Sequence, residues 1–358
     1  MTRIGIMTFL HNDNFGSVLQ ALALQRALRS LGYGAEHIDY RPSRMEKARN
    51  LMRSGNSPAL VLEGMRKRGV RSWGATNALH ERFLGERLTL SEICRDRAAL
   101  ERAAEKYDAL MCGSDQIWSP VWLNPAYFLD FTEKPRVAYA ASLGVKEMPK
   151  RSKGLRIAEL VKPFSAVSVR EAEGAAILER LTGERPVVMP DPVMLLSRAE
   201  WLEIAGEAVP GKPYLLCYFI GNQPAYWTRV EELTQKLGVP ALVIPKTAEA
   251  YQSGLALREE VSPDGWLRLL AGAEHVVTDS FHAAAFSCIL NKPFTVMRRY
   301  REDDPENKNS RVDQLLRIME LADTADANWD RVNAKLDAER ERGLTWLGQS
   351  LAKVTKAP

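Results

Sequence analysis

Val276-Val277-Thr278-Asp279-Ser280-Phe281-His282-Ala283-Ala284-Ala285-Phe286 is the stretch whose reading decides the fold. An apolar run with the length of a buried parallel strand ends at Thr278, and small polar residues follow where a helix begins. Asp279 or Ser280 can cap the free N–H groups of that helix. The helix start then offers donors and partial positive charge, a seat for a phosphate or carboxylate. His282 falls in the first turn, within reach of that seat, and Ala283, Ala284 and Ala285 predict an uncluttered approach. A histidine that merely hydrogen-bonds the backbone is the plainer alternative. Its place at the carboxyl end of a strand favours function, because open α/β sheets take ligands there.

The same alternation extends in both directions. Around the stretch, strands are expected at 214–220, 241–244, 275–278 and 294–297, with helices at 226–237, 263–271 and 281–290. At the N-terminus, Ile4 to Thr8 reads as a strand and His11 to Ser17 as a turn-rich loop. A helix through Val18, Leu22, Leu28 and Leu31 is stopped by Gly32, and the strand Glu36 to Tyr40 completes a βαβ unit. Further strands fall at 109–112, 137–141, 166–169 and 187–189, and Pro192 to Pro213 reads as a connector. The fold class is therefore α/β, with two Rossmann-like domains facing a cleft. Their expected bounds are 1–200, with a helical insertion at about 41–105, and 201–358, with a terminal helix over 326–353.

At 358 residues the chain exceeds the size at which one core stops growing, which agrees with two domains. A net charge of +4 from 49 basic and 45 acidic residues gives no general case for nucleic acid as a partner. Met1 to Met7 enters a strand without a signal-peptide pattern. The longest apolar run, 214–220, is far short of the roughly 18 residues that span a bilayer, so a cytoplasmic location is expected. Cys94, Cys112, Cys217 and Cys288 read as buried reduced thiols. His and Cys are nowhere grouped, so no metal and no cofactor is expected. The basic, amphipathic stretch 41–71 suits a solvated insertion face or an oligomer contact, and secondarily a peripheral contact with anionic lipid headgroups.

Three more junctions carry polar chemistry. Arg170, in Ser168-Val169-Arg170-Glu171, can fork onto a carboxylate or phosphate, or pair with Glu171 or Glu173. In Gly113-Ser114-Asp115-Gln116-Ile117-Trp118, Ser114, Asp115 and Gln116 offer hydrogen bonds suited to sugar hydroxyls. Trp118 and Trp122 offer stacking faces, or else lie in the core. The Asn12 to Ser17 loop, with Asn14 and Gly16, lacks the glycine spacing of a dinucleotide site. Lys308 and Arg311 could close over an anion or form a solvated cluster.

Taken together, these segments resemble the polysaccharide pyruvyl transferase family. The likeness rests on Asn12 to Gln20, Gly113 to Trp118, Tyr139 to Gly144, Ser168 to Glu171, Asp191-Pro192, Thr278 to His282 with Asn291 to Phe294, and Asn309 to Arg311, all in order. The resemblance implies a GT-B-like fold and transfer of a pyruvyl group from phosphoenolpyruvate to a sugar or lipid-linked glycan, forming a ketal. It implies His282 as the essential histidine and Arg170 as a donor-binding arginine. Asn14, Gly16 and Ser280 would also face the donor, with Ser114, Asp115, Gln116 and Trp118 on the acceptor. Where well-studied relatives carry an arginine, this chain has Ser280. Either Lys308 or Arg311 substitutes, or the donor differs. The alternatives are a GT-B glycosyltransferase using a nucleotide sugar and a non-catalytic glycan-binding protein.

Overall fold

The computed structural model describes the chain except for residues 13, 54–73, 208–211, 256–259, 301–308, 322–326 and 356–358. Lys308 and most of the basic stretch, including Arg66, Lys67 and Arg68, lie outside the described residues. The chain divides into two units, Met1–Leu195 with Arg340–Pro358, and Leu196–Glu339.

The first unit runs β1 (Arg3–Met7), α1 (Phe15–Ser30), β2 (Gly34–His37), α2 (Arg44–Arg53), α3 (Gly74–Arg87), α4 (Arg97–Ala104), β3 (Ala109–Cys112), β4 (Arg136–Ala141), α5 (Arg151–Val161), β5 (Ala166–Val169), α6 (Ala172–Thr182) and β6 (Val187–Val188). Its parallel sheet has the order β2-β1-β3-β4-β5-β6. Both faces are covered, so successive residues of an apolar strand feed different cores. In β3, Leu110 and Cys112 join the cluster that contains Trp118 and Phe128. Ala109 and Met111 join the one that contains Ile4, Leu24 and Leu28. The helices α2, α3 and α4 occupy the expected insertion.

The second unit runs α7 (Arg198–Ala205), β7 (Leu215–Tyr218), α8 (Ala225–Leu237), β8 (Ala241–Ile244), α9 (Ala248–Gln252), α10 (Pro263–Gly272), β9 (His275–Thr278), α11 (Phe281–Ile289), β10 (Phe294–Val296) and α12 (Ser310–Met319). The sheet order is β10-β9-β7-β8, all parallel. Val276, Val277 and Thr278 pair with Leu216, Cys217 and Tyr218 on one side and with Phe294, Thr295 and Val296 on the other. β9 is thus an inner strand, and its carboxyl end is flanked by two others.

The last helix, α13 (Trp329–Val354), differs from expectation in its allegiance. Sequence reading assigns it wholly to the second domain, yet residues from Arg340 onward group with the first unit. Leu347 and Leu351 are fully buried there, beside Ile4 and Leu28, and Gly343 comes close to Leu195 and Tyr139. The charged spacing of this helix hides two apolar residues that decide where its end packs. All four cysteines are reduced and buried. Among the described residues no helix is long and apolar enough to cross a membrane.

Candidate active site

In the first unit the polar residues gather at the carboxyl ends of β1, β3, β4 and β5. Asn14 caps α1, its side chain accepting from the Gly16 N–H at 3.0 Å. Gln20 links two of these loops by donating to Thr8 Oγ1 at 3.0 Å and accepting from the Ser114 N–H at 3.0 Å. Gly113 makes the β3 turn possible. Its φ is +125°, and a Cβ there would lie 1.9 Å from the Tyr139 carbonyl oxygen.

Several expected contacts with an acceptor do not survive this packing. Ser114 is fully buried and donates its hydroxyl hydrogen to the Ala140 carbonyl at 2.6 Å. Trp118 is corrected from a sugar platform to a core residue. It is 0% exposed and stacked on Phe128 at 4.9 Å between centroids, and its indole N–H donates to the Tyr127 carbonyl. The surface tryptophan is Trp122, 40% exposed, which donates to the Gln116 carbonyl at 3.2 Å. Gln116 is half-buried beside it.

Arg170 follows β5 as expected and stands beside Glu171, one of the two partners the sequence offers, but Asp115 and Asp191 were not read from the sequence. It is buried, with Nη1 2.5 Å from Asp191 Oδ2, Nη2 3.9 Å from Asp115 and Nε 3.9 Å from Glu171. Burial opposes its charge, and the three carboxylates outweigh burial and hold the guanidinium above its ordinary pKa. Glu171 is pinned in turn. Its Oε1 accepts from the Ser142 hydroxyl (2.9 Å), the Leu143 N–H (2.8 Å) and the Gly144 N–H (3.0 Å). This is a buried ion-pair hub in which three carboxylates surround one guanidinium. Its guanidinium stands within ion-pair distance of Asp115 and Glu171 as well as Asp191.

In the second unit the opening stretch folds as strand, turn and helix. Ser280, not Asp279, caps α11, accepting from the Ala283 N–H at 3.5 Å. Asp279 turns the other way and ties together four segments. Its carboxylate accepts from the Ile220 N–H (2.7 Å), the Gly221 N–H (2.7 Å), the Tyr226 hydroxyl (3.1 Å) and Arg299 Nε (3.0 Å). Arg299 also donates from Nη2 to the Asp279 carbonyl at 3.1 Å. Burial works against the Arg299 charge and Asp279 more than restores it. Burial, followed by the nearby carboxylate, pushes the Tyr226 phenol up. Gly221 leaves room for this crossing, since a Cβ would meet Arg299 Cγ at 2.8 Å and Asp279 Oδ2 at 2.9 Å.

His282 stands in the first turn of α11, where the sequence places it, but is only 3% exposed and packs edge-on to Phe281. Ala283, Ala284 and Ala285 are 0% exposed, so they pack into the unit and do not clear an approach. The cations sit slightly further along. Arg298, Arg299 and Arg311 line one small pocket together with Asp279, Phe281 and Tyr300. Arg298 pairs with Asp313 at 2.6 Å, and Arg299 with Asp279 at 3.0 Å. Arg311 is an expected residue, whereas Arg298 and Arg299 were missed. Two basic residues immediately after the strand Phe294 to Met297 were the available signal.

A family model for polysaccharide pyruvyl transferase matches residues 14–299 of the chain. No curated protein matches it. Among solved structures, UDP-GlcNAc 2-epimerase from Neisseria meningitidis bound to UDP-GlcNAc superposes with a TM-score of 0.51 at 10% identity, over 99% of this chain and 100% of that one. A putative UDP-N-acetylglucosamine 2-epimerase from Listeria monocytogenes gives 0.51 at 11% identity, over 99% and 98%. At such identities the likeness concerns the fold alone, which is the GT-B fold.

Proposed function

The chain belongs to the polysaccharide pyruvyl transferase family, and we propose that it moves a pyruvyl group from phosphoenolpyruvate onto a sugar of a polysaccharide or glycan precursor. The observation that carries the donor is the arginine-lined pocket beside the start of α11. Phosphoenolpyruvate is small and carries both a phosphate and a carboxylate. The three guanidinium groups that line the pocket suit both by forked, charge-assisted hydrogen bonds. Arg299 is oriented by Asp279 and so is preorganised. With Arg311 it lines the pocket beside Ser280, where the family's usual arginine is absent.

In this reading His282 is the general acid. Its imidazolium gives a proton to the methylene carbon of phosphoenolpyruvate, and positive charge develops at C2. One sugar hydroxyl adds to C2, and its proton returns to the imidazole. Phosphate leaves with the C2–O electron pair, and a second hydroxyl attacks the resulting cation to close the ketal, its proton passing to phosphate. Arg170 acts as a positioning residue through the carboxylates of Asp115 and Glu171. Half-buried Gln116 and exposed Trp122 are the accessible residues by which this segment would meet the acceptor.

A positioned imidazole contributes about 10²–10⁴-fold in proton transfer. His282→Gln should lower acceptor-dependent phosphate release by that range while its melting temperature stays close to that of the parent. Near-normal release would remove His282 from the mechanism.

A further inference from the structure

The β7–α8 loop serves two neighbours. Ile220 and Gly221 hold Asp279, while the next residue, Asn222, donates from Nδ2 to Glu249 Oε1 at 3.2 Å, joining the loop to α9. Between this pair and α8 lies a cavity of about 360 Å³, lined by Asn222, Trp227, Glu231, Glu249, Gln252 and Leu255 among others. Small-molecule sites run from roughly 300 to 1,000 Å³. The loops that build it follow β7 and β8, so it opens at the carboxyl edge of the parallel sheet, where such sheets take ligands.

Its chemistry is opposite to that of the arginine pocket. Two carboxylates and no basic side chain stand among the described lining residues, which disfavours a phosphate or a carboxylate as occupant. Carboxylates and amides in a wet cavity accept from and donate to hydroxyl groups. The Glu249 carboxyl is held below its ordinary pKa, by its own backbone N–H first and then by Asn222, which keeps it an acceptor. Trp227 and Glu231 are four residues apart on α8 and therefore share a face. The Trp227 ring is set by an edge contact with Phe219, at 5.9 Å between centroids and 84° between planes. Leu255, 42% exposed, adds apolar surface to the lining. An oriented aromatic face beside hydroxyl acceptors is complementary to a pyranose ring, apolar on one face and hydroxylated at its rim.

We infer that this cavity is a subsite for a neutral sugar ring, stacked on Trp227 and hydrogen-bonded by Glu249 and Glu231. Its place in glycan transfer rests on the function proposed above; its sugar binding does not. The test is saturation-transfer NMR on the full chain with a panel of neutral methyl pyranosides and N-acetylhexosamine disaccharides, with phosphoenolpyruvate titrated separately. At least one saccharide should bind the parent protein. Trp227→Ala should weaken it at least tenfold and Glu249→Gln by several-fold, while Trp227→Phe retains most of the affinity and phosphoenolpyruvate binding is unchanged throughout. Glu249 is exposed at the cavity's rim, so the Gln variant decides the matter should the alanine variant misfold. No binding by any saccharide at millimolar concentration, or equal binding by parent and Glu249→Gln, overturns the subsite. Saccharide binding that the variants lose, without any phosphoenolpyruvate binding, overturns the donor and leaves the subsite standing.

Discussion

Asp279→Asn is the perturbation that most sharply separates a structural hub from an ordinary turn residue. The carboxylate oxygens divide four donors unevenly: Ile220 N–H on Oδ1, and Gly221 N–H, the Tyr226 hydroxyl and Arg299 Nε on Oδ2. An asparagine can turn its carbonyl oxygen to the three donors, but its NH₂ then points at the Ile220 N–H. One buried backbone donor is left opposed by another donor, and the remaining bonds lose their charge assistance. Removing one partner of a buried ion pair costs about 3–5 kcal/mol, and an unsatisfied buried donor alone costs about 1–3. The Asp279 side chain is fully buried and that of Arg299 is 21% exposed, so we expect about 3–4 kcal/mol. For a unit of this size that corresponds to a fall of about 10 °C in melting temperature. Differential scanning calorimetry reads the shift. Spectrophotometric titration should show the Tyr226 phenol ionising more readily than in the parent. A loss under about 1 kcal/mol with an unchanged phenol titration would refute the network as a support for Arg299.

Three other outcomes are checkable. Burial pushes His37 from 6.5 down to about 4, against a bond to the Ala21 carbonyl at 3.0 Å. The unfolded chain therefore takes up a proton near pH 6.5 that the folded ring refuses, so this stability is complete above pH 6.5 and is lost as pH falls toward 4. The loss is about 3 kcal/mol, and His37→Gln should flatten it in denaturant titrations at pH 7.5 and 4.5. An unchanged slope would contradict the assignment. Gly113→Ala meets a backbone oxygen at a positive φ, so it should destabilise by about 4 kcal/mol, and a soluble variant of parental stability would show that the turn can move. Burial pushes the Cys217 and Cys288 thiols up to about 12, so iodoacetamide at pH 8 should spare both in the native protein and label both after unfolding.

What the sequence disclosed follows from the length scale of each signal. Parallel strands buried on both faces are short, uninterrupted apolar runs, which is why Ala109–Cys112, Ala166–Val169, Ala241–Ile244 and His275–Thr278 are legible to the residue. The helix after Thr278 is a local event and is legible too, while its cap was read as either Asp279 or Ser280 and is Ser280. Pairings across chain segments are not. Asp191 lies 21 residues beyond Arg170, and Arg299 lies 20 beyond Asp279. Each meets its partner only because parallel strands bring successive carboxyl ends to one edge. Trp118 illustrates the same limit. Nothing in the local sequence states that Phe128 will cover its ring, so a core tryptophan and a sugar platform look alike until the 3₁₀ turn Pro125–Phe128 is placed.

The donor is the hinge of the functional reading, and binding to it can be measured directly. Isothermal titration of the full chain with phosphoenolpyruvate, beside UDP-GlcNAc as the competing class, is the most direct measurement. Phosphoenolpyruvate should bind, and Arg299→Lys and Arg311→Gln should each weaken it at least tenfold, about 1.4 kcal/mol, while UDP-GlcNAc gives no heat. Binding of UDP-GlcNAc without phosphoenolpyruvate, or phosphoenolpyruvate affinity indifferent to both arginines, would contradict pyruvyl transfer through the arginine pocket.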